Sequence, residues 1–170
     1  MDLPEKIVLL HDTLKEAGLP HAFGGALALA WCTGQARGTI DIDINIFVEP
    51  RLSATIFKAL PPDIQQTPDK QDLLNSEGQV RLWWQQTPID IFLNTLPLHA
   101  HAASRIRWEL FMERQIPFLA CTDLAIFKSF FNRTKDWADL EEMAAAATTG
   151  IGCEWLAYHW NGAAREQTHR

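Results

Sequence analysis

The chain has 170 residues, of which 47% are hydrophobic and 21% are charged, and this balance suits one globular domain. Its formal net charge of −6 disfavours an extended nucleic-acid surface, although a local basic pocket stays compatible with it. No apolar run approaches the roughly 18 residues that a membrane span needs, and the acidic Asp2 and Glu5 are unlike the start of a signal peptide. We therefore expect a cytoplasmic protein with no membrane partner.

Hydrophobic periodicity and Gly/Pro punctuation predict alternating helices and strands in the first half of the chain. In chain order they predict a helix over 2–17, a strand over 19–23, a helix over 26–32, a strand over 39–48, a helix over 52–60, and a loop over 61–78 with a short helix from Asp69.

The second half is expected to add more strands and then helices. The patterns predict strands over 80–85 and 89–94, a short helix over 98–105, a hairpin over 108–119, helices over 122–131 and 137–147, and a last helix around 154–160. This order indicates an α+β fold with a mixed β-sheet flanked by helices. We expect a core over 1–120 and a small helical C-terminal segment, 121–170, packed on it.

The three cysteines, Cys32, Cys121 and Cys153, are scattered without the spacing of a metal site. An odd number without a CxxC pair predicts reduced thiols that pack as small core residues.

Paired acids in an apolar strand are the most informative feature of the sequence. Asp41 and Asp43 alternate with isoleucines in the predicted strand, so both carboxylates should project from one face, with Ile40, Ile42 and Ile44 on the other. Like charges this close are unfavourable unless a cation or a proton lies between them. Oxygen ligands of this kind favour a hard divalent ion such as Mg²⁺.

Asp90 is a third acid with apolar neighbours, in the run Ile89-Asp90-Ile91-Phe92. If its strand lies beside the first, three carboxylates converge at one edge of the sheet. Such a site can hold two metal ions, which stabilise the attacking and leaving oxygens of a phosphoryl displacement. An alternative is that Asp41 and Asp43 lie on the solvent face of an edge strand.

A glycine pair, Gly24-Gly25, stands between a predicted strand and a predicted helix. Glycines there let backbone N–H groups approach a phosphate at the start of the helix. Arg37 is a candidate for contact with a phosphate or a carboxylate, and Thr39 for a hydrogen bond near the metals. Arg37 could equally be a cation on a surface loop.

A downstream block concentrates positive charge in this acidic chain. Lys128 follows Ile126 and Phe127 in a predicted helix, so its stem can pack while its amine reaches outward. Arg133 and Lys135 follow it. An exposed turn pair is the alternative for Lys135 and Asp136, and Asp139 is expected on a solvent face or bound to Arg133.

The string from Gly24-Gly25 to Arg37-x-Thr39-x-Asp41-Ile42-Asp43 resembles the DNA polymerase β-like nucleotidyltransferase superfamily. It looks closest to the small bacterial branch of AbiEii-type toxin nucleotidyltransferases, whose downstream motif is similar to the block from Lys128 to Asp139.

The resemblance implies a nucleotidyltransferase core, two Mg²⁺ ions and a nucleoside triphosphate (NTP) donor. By position, Gly24 and Gly25 would hold the triphosphate, Asp41 and Asp43 would bind both metals, and Asp90 would bind the catalytic one. Lys128 would contact a phosphate or the nucleotide.

The implied activity is transfer of a nucleoside monophosphate from an NTP to a hydroxyl on a tRNA, a protein or a small molecule. The net charge makes an RNA acceptor less attractive. One alternative is a non-catalytic nucleotide-binding protein in a toxin–antitoxin-like pair, with a cognate toxin or antitoxin as partner. Another is a phosphodiester hydrolase that uses the same carboxylates on water.

Overall fold

Seven strands form one mixed sheet in the computed structural model, which describes residues 1–146. The strands are β1 (His21–Phe23), β2 (Ile42–Ile46), β3 (Ile64–Gln65), β4 (Gln79–Trp84), β5 (Thr87–Leu93), β6 (Arg107–Phe111) and β7 (Arg114–Phe118). Their order across the sheet is β3-β4-β5-β2-β1-β7-β6. The β2–β5 and β1–β7 pairs are parallel, and the other neighbours are antiparallel.

Seven α-helices accompany the sheet within the same residues. They are α1 (Leu3–Glu16), α2 (Gly25–Thr33), α3 (Ser53–Ala59), α4 (Pro68–Glu77), α5 (Pro97–Ala103), α6 (Cys121–Phe131) and α7 (Thr134–Ala145), and a 3₁₀ turn (Pro50–Leu52) precedes α3. The predicted α+β class is confirmed. None of these helices is long and apolar enough to cross a membrane.

The first helix shows how local sequence sets an element. Asp2 accepts a hydrogen bond from the Glu5 backbone N–H at 2.9 Å, and the Glu5 carboxylate accepts one from the Asp2 backbone N–H at 2.8 Å. This capping box satisfies two of the N–H groups that a helix start leaves without partners. Ile7, Leu10 and Leu14 then share a buried stripe.

Strand alternation leaves one face of the sheet open beside β4. Val80, Leu82 and Trp84 are buried, whereas the intervening side chains of β4, Gln79, Arg81 and Trp83, are exposed. In β2, Ile42, Ile44 and Ile46 are fully buried, and Asp43 points to the opposite face. The acids therefore lie on a face different from the main apolar layer.

Several sequence expectations were wrong in detail. The strand predicted over 39–48 is limited to Ile42–Ile46, and Ile40 is 68% exposed instead of packing with Ile42. The segment 61–78 was predicted as a loop with a short helix from Asp69; that helix is the ten-residue α4, and the short strand β3 before it was not predicted. Thr67 caps α4 by accepting from the Lys70 N–H and Pro68 is its first residue, so the helix begins one residue earlier than predicted.

The expectation of three reduced thiols was also wrong. Cys32 at the end of α2 and Cys121 at the start of α6 form a disulfide across 89 residues of sequence. Sequence spacing could not pair them because their proximity follows from the packing of α2 against α6. Cys153 and the helix expected around 154–160 lie outside the described residues, and the division at residue 120 stays a prediction.

Candidate active site

An open cleft gathers most of the predicted site residues. Its lining comes from β2, β5, the start of α2, and the α6–α7 region, among other elements. The charged residues of the lining are Asp41, Asp43, Glu77, Asp90, Lys128, Arg133, Lys135 and Asp136. The cleft therefore combines an acidic group with a basic one.

The parallel pairing of β2 and β5 brings the predicted acids together. Asp43 lies directly opposite Asp90 in the register, and Asp41 stands just before the first residue of β2. Directly opposed residues of neighbouring strands have Cβ atoms about 5 Å apart, close enough for their carboxylates to interact. The predicted adjacency of the two strands is confirmed.

Gly25 lets the start of α2 approach Asp43. Its φ of +55° lies in the left-handed region, and a Cβ added there would overlap the carboxylate of Asp43. The neighbouring Gly24 donates its N–H to the Asp43 carbonyl at 2.9 Å. Gly24 is thus engaged in holding β2, and the uncapped amides that follow it in α2 are the ones left to face a ligand.

Burial and like charge combine at Asp43. Burial, the largest cause, raises the pKa of its carboxyl, the neighbouring Asp90 and Asp41 also raise it, and Lys128 and Lys135 oppose this change; the result is a pKa of about 6. Three acids so placed favour any cation that can lie among them. The excess negative charge of the site therefore favours a positively charged partner.

Arg81 supplies part of this positive charge, and the sequence predictions did not identify it. It lies opposite Asp90 in the β4–β5 hairpin, and its Nε and Nη2 donate to the two Asp90 oxygens at 2.7 and 2.6 Å. Nη2 is also 3.8 Å from Asp41 Oδ2. The hydrogen bonds to Asp90 raise the pKa of Arg81 above its usual, already high value, so the guanidinium stays charged.

The register of this hairpin was the missing signal. The structure turns at Gln85 and Gln86, with Gln85 at a φ of +58°, so that Arg81 faces Asp90. The sequence prediction began the second strand at residue 89, whereas Thr87 and Pro88 are the first residues of β5. A shift of the turn changes every cross-strand partner.

The chemistry of the acids fits a divalent ion. Within residues 1–146, no three acidic, histidine or cysteine side chains surround a common point as a finished metal site. The guanidinium of Arg81 instead engages Asp90 and reaches towards Asp41. Carboxylate oxygens are nonetheless the donors that Mg²⁺ and Mn²⁺ prefer, so Asp41, Asp43 and Asp90 would hold such an ion.

A second charged cluster, which we call the lysine cluster, joins α6, α7 and the loop after α2. The Lys128 amine is 2.6 Å from Asp139 Oδ2 and 3.8 Å from Asp136 Oδ1. Arg37 approaches the other Asp139 oxygen at 2.6 Å, and Arg133 binds Asp136 at 2.7 Å. These five residues place three cations beside two carboxylates.

The cluster corrects three expectations. Lys128 is buried with its amine on Asp139 and does not reach outward, and Asp139 is 1% exposed, neither on a solvent face nor bound to Arg133. Asp136 is as deeply buried as Asp139, so it is not part of an exposed turn pair. Burial would raise the pKa of Asp136, but its bonds with Arg133 lower it overall.

Arg37 and Thr39 are not among the residues that line the cleft. Arg37 reaches the site indirectly, through Asp139 and Lys128. The Thr39 hydroxyl accepts from the Asp41 N–H at 3.2 Å, which fixes the backbone just before β2. Both therefore contact residues of the site without facing the cleft.

Comparison with known proteins finds similarity in structure alone. No protein-family model and no curated protein sequence matches the chain. The antibiotic-resistance factor ANT(2'')-Ia is similar in its solution structure, with a TM-score of 0.62, 16% identity, and coverage of 98% of this chain and 96% of that one.

Two further solved structures agree with this. ANT(2'')-Ia in complex with adenylyl-2''-tobramycin gives a TM-score of 0.60 at 13% identity, covering 97% of this chain and 98% of that one. The lincosamide antibiotic adenylyltransferase LnuA, lincomycin-bound, gives 0.56 at 14% identity, covering 84% and 97%. The chain therefore has the nucleotidyltransferase fold, with Asp43 and Asp90 on two adjacent strands of the sheet and Asp41 just before the first of them.

Proposed function

We propose that the chain is a Mg²⁺-dependent nucleotidyltransferase that transfers a nucleoside monophosphate from an NTP to a hydroxyl acceptor. The observation that carries the proposal is the register of β2 and β5, which places Asp43 beside Asp90 and Asp41 near both. The fold shared with adenylyltransferases supports it.

The acidic and the basic group of the cleft would bind different parts of the substrate. Asp41, Asp43 and Asp90 would hold two divalent ions, which when bound stabilise charge on the attacking and leaving oxygens. Lys128, Arg133 and Lys135 line the same cleft and offer positive charge to phosphate oxygens. The start of α2 adds backbone N–H groups beside Asp43.

In the reaction proposed for this site, the protein mainly positions the reactants and forms no covalent bond to them. The acceptor oxygen forms a bond to the α-phosphorus, the bond from that phosphorus to the bridging oxygen breaks, and pyrophosphate leaves. Asp90 is the candidate to take the proton of the hydroxyl because it faces the open side of the sheet.

We propose a small molecule as the acceptor, in preference to a tRNA or a protein. A formal net charge of −6 opposes the approach of RNA. ANT(2'')-Ia has been solved with adenylyl-2''-tobramycin and LnuA with lincomycin. The AbiEii-type branch, and with it a cognate toxin or antitoxin, stays a prediction from the sequence, with no contact in the described residues to favour it.

Pyrophosphate release tests the function. The purified chain is incubated with Mg²⁺, each NTP in turn and panels of hydroxylated acceptors. We expect acceptor-dependent release that falls by about 10³-fold in Asp43→Asn and Asp90→Asn. Asp72→Asn, on exposed α4 outside the cleft, should keep the wild-type rate.

Other outcomes point to the alternatives. NTP binding without pyrophosphate release under any condition would favour the non-catalytic role. Nucleoside monophosphate produced with no acceptor attached would favour the hydrolase. Release that is unchanged in both variants would contradict the assignment of the carboxylates.

A further inference from the structure

Arg81 stands where a cation is needed and a metal ion is expected. Its guanidinium binds both oxygens of Asp90 at 2.7 and 2.6 Å and extends to within 3.8 Å of Asp41. The side chain of Arg81 is 50% exposed, whereas that of Asp90 is 18% exposed. The arginine thus covers the carboxylate from the solvent side of the open face.

This contact and a bound metal ion would weaken each other. A divalent ion on Asp90 needs at least one of the oxygens that Arg81 now occupies, and two cations on one carboxylate repel each other. Without a metal, however, the guanidinium relieves the repulsion among the three acids. Arg81 and the ion therefore compete for the same oxygens while each stabilises the same acids.

We propose that Arg81 is a positioning residue that acts as the internal counter-ion of the metal-free site and releases Asp90 when a divalent ion binds. The proposal rests on the proposed function, since it takes Asp41, Asp43 and Asp90 as the metal ligands. Arg81 then sets the metal concentration at which the site fills. It also keeps the three acids in place before the ion arrives.

The half-exposed position of Arg81 makes this exchange feasible. A bidentate pair with a carboxylate is among the stronger side-chain contacts, but exposure to water lowers the cost of breaking it. The long side chain can leave Asp90 without movement of β4, because it projects from the open face of the strand. A surface arginine with only a structural role would not respond to metal.

Binding of Mn²⁺ to the nucleotide-free chain, followed by electron paramagnetic resonance, tests the competition. Arg81→Met removes the charge, Arg81→Lys keeps the charge without the fork, and Arg51→Met removes an exposed arginine paired with Glu49. We expect Arg81→Met to bind Mn²⁺ about tenfold more tightly than wild type. Arg81→Lys should fall between the two, and Arg51→Met should match wild type.

Thermal unfolding separates this role from simple stabilisation. Metal-free Arg81→Met should melt below wild type, and saturating Mn²⁺ should remove the difference. A deficit that is equal with and without Mn²⁺ would contradict the proposal, because it would mean that Arg81 contributes the same stability in both states.

The wild-type chain provides a measurement that does not depend on variants. The Arg81 Nε–H, bound to Asp90, should lose its protection from hydrogen exchange when Mg²⁺ is added, as followed by NMR. The Arg133 Nε–H, bound to Asp136 at 2.7 Å, should keep its protection. Retention of the Arg81 protection at saturating Mg²⁺ would overturn the proposal.

The outcomes distinguish this inference from the proposed function. If wild type binds Mn²⁺ and releases pyrophosphate while Arg81→Met binds Mn²⁺ no more tightly, only the counter-ion role is wrong. If neither wild type nor Arg81→Met binds Mn²⁺ at millimolar concentration, the metal assignment is wrong and both proposals fail.

Discussion

Two clusters at the cleft contain buried or half-buried charges: the acids near β2 and β5, and the lysine cluster. The two clusters have opposite imbalances of charge. Around the proposed metal ligands, a single guanidinium, that of Arg81, binds Asp90 and approaches Asp41. In the lysine cluster, three cations share Asp136 and Asp139, both of which are 1% exposed. The first group lacks positive charge, and the second has a slight excess of it.

This difference agrees with the proposed function. Under that proposal, the acidic cluster, in which the pKa of Asp43 is raised to about 6, would take a metal ion. A cluster with an excess of cations, which extends into the same cleft through Lys128 and Arg133, suits an anion. A metal-bound triphosphate presents both kinds of charge, so the two clusters together match one ligand.

The largest effect on stability is expected in the lysine cluster. Lys128→Met leaves Asp136 and Asp139 buried with less compensating charge, so the free energy of unfolding should fall by about 3 kcal/mol. Lys135→Met removes the same charge from an exposed position at the start of α7 and should cost about 0.5 kcal/mol or less. Urea denaturation measures both.

A double variant sharpens this prediction. Adding Asp139→Asn to Lys128→Met should restore part of the lost stability, because it removes a carboxylate that the first change left without its amine. Additive losses would show that the two residues do not interact, contrary to their separation of 2.6 Å.

A buried pair of histidines that stays uncharged contrasts with the two charged clusters. His21 Nε2 lies 2.9 Å from His11 Nδ1, and His21 Nδ1 donates to the Leu19 carbonyl at 2.7 Å. Burial, the largest cause, lowers the pKa of His21, the hydrogen bond to Leu19 opposes this, and the proximity of His11 lowers it; the pKa falls from 6.5 to about 4. Burial also lowers the pKa of His11.

The sign of the pH dependence follows from that direction. Below pH 6.5 the unfolded chain protonates this histidine while the folded chain does not until about pH 4, so stability is lost as the pH falls through this window. At pH 5 the loss from His21 should be about 2 kcal/mol. His21→Gln should flatten the dependence between pH 6.5 and 4.5 in urea denaturation, and His101→Gln, at an exposed position on α5, should leave it unchanged. Equal slopes for wild type and His21→Gln would refute the assignment.

The last prediction concerns a place where backbone, not charge, limits the acids, and the effect is the difference between two glycine substitutions. Gly25→Ala and Gly34→Ala place the same methyl group at φ values of +55° and +70°, but only the first meets Asp43, and nothing lies within 4 Å of the second. Gly34→Ala should cost about 1 kcal/mol for the left-handed backbone, and Gly25→Ala about 1 to 2 kcal/mol more for the overlap.

Activity supplies a second difference between these glycines. Gly25→Ala should slow pyrophosphate release because it displaces the Asp43 carboxylate, whereas Gly34→Ala should not. Equal stability and equal activity of the two variants would mean that the close approach of α2 to Asp43 has no importance.

The sequence predicted those features of the site whose pattern lies within a short stretch of the chain. Asp41, Asp43 and Asp90 stand out because each interrupts an apolar run, and the apolar runs themselves predict neighbouring strands. The partners of these acids were harder to predict. Arg81 meets Asp90 only through the register of a two-residue hairpin.

The lysine cluster and the disulfide were beyond sequence reasoning for a related reason. Arg37, Lys128 and Asp139 meet because the loop after α2 packs near α6 and α7, and the same packing joins Cys32 to Cys121. No spacing in the chain encodes contacts between residues that are 89 or more positions apart. Arg37 was expected to contact a phosphate or a carboxylate, and the structure pairs it with the carboxylate of Asp139, a partner that the sequence did not identify.

The location of Mn²⁺ in a crystal soaked with a non-hydrolysable NTP analogue tests the central claim most directly. We predict an anomalous difference peak bridging the Asp43 and Asp90 carboxylates, within reach of Asp41, with the triphosphate on the side of Lys128. A bound nucleotide with Mn²⁺ elsewhere, and with Arg81 still holding both oxygens of Asp90, would contradict the claim.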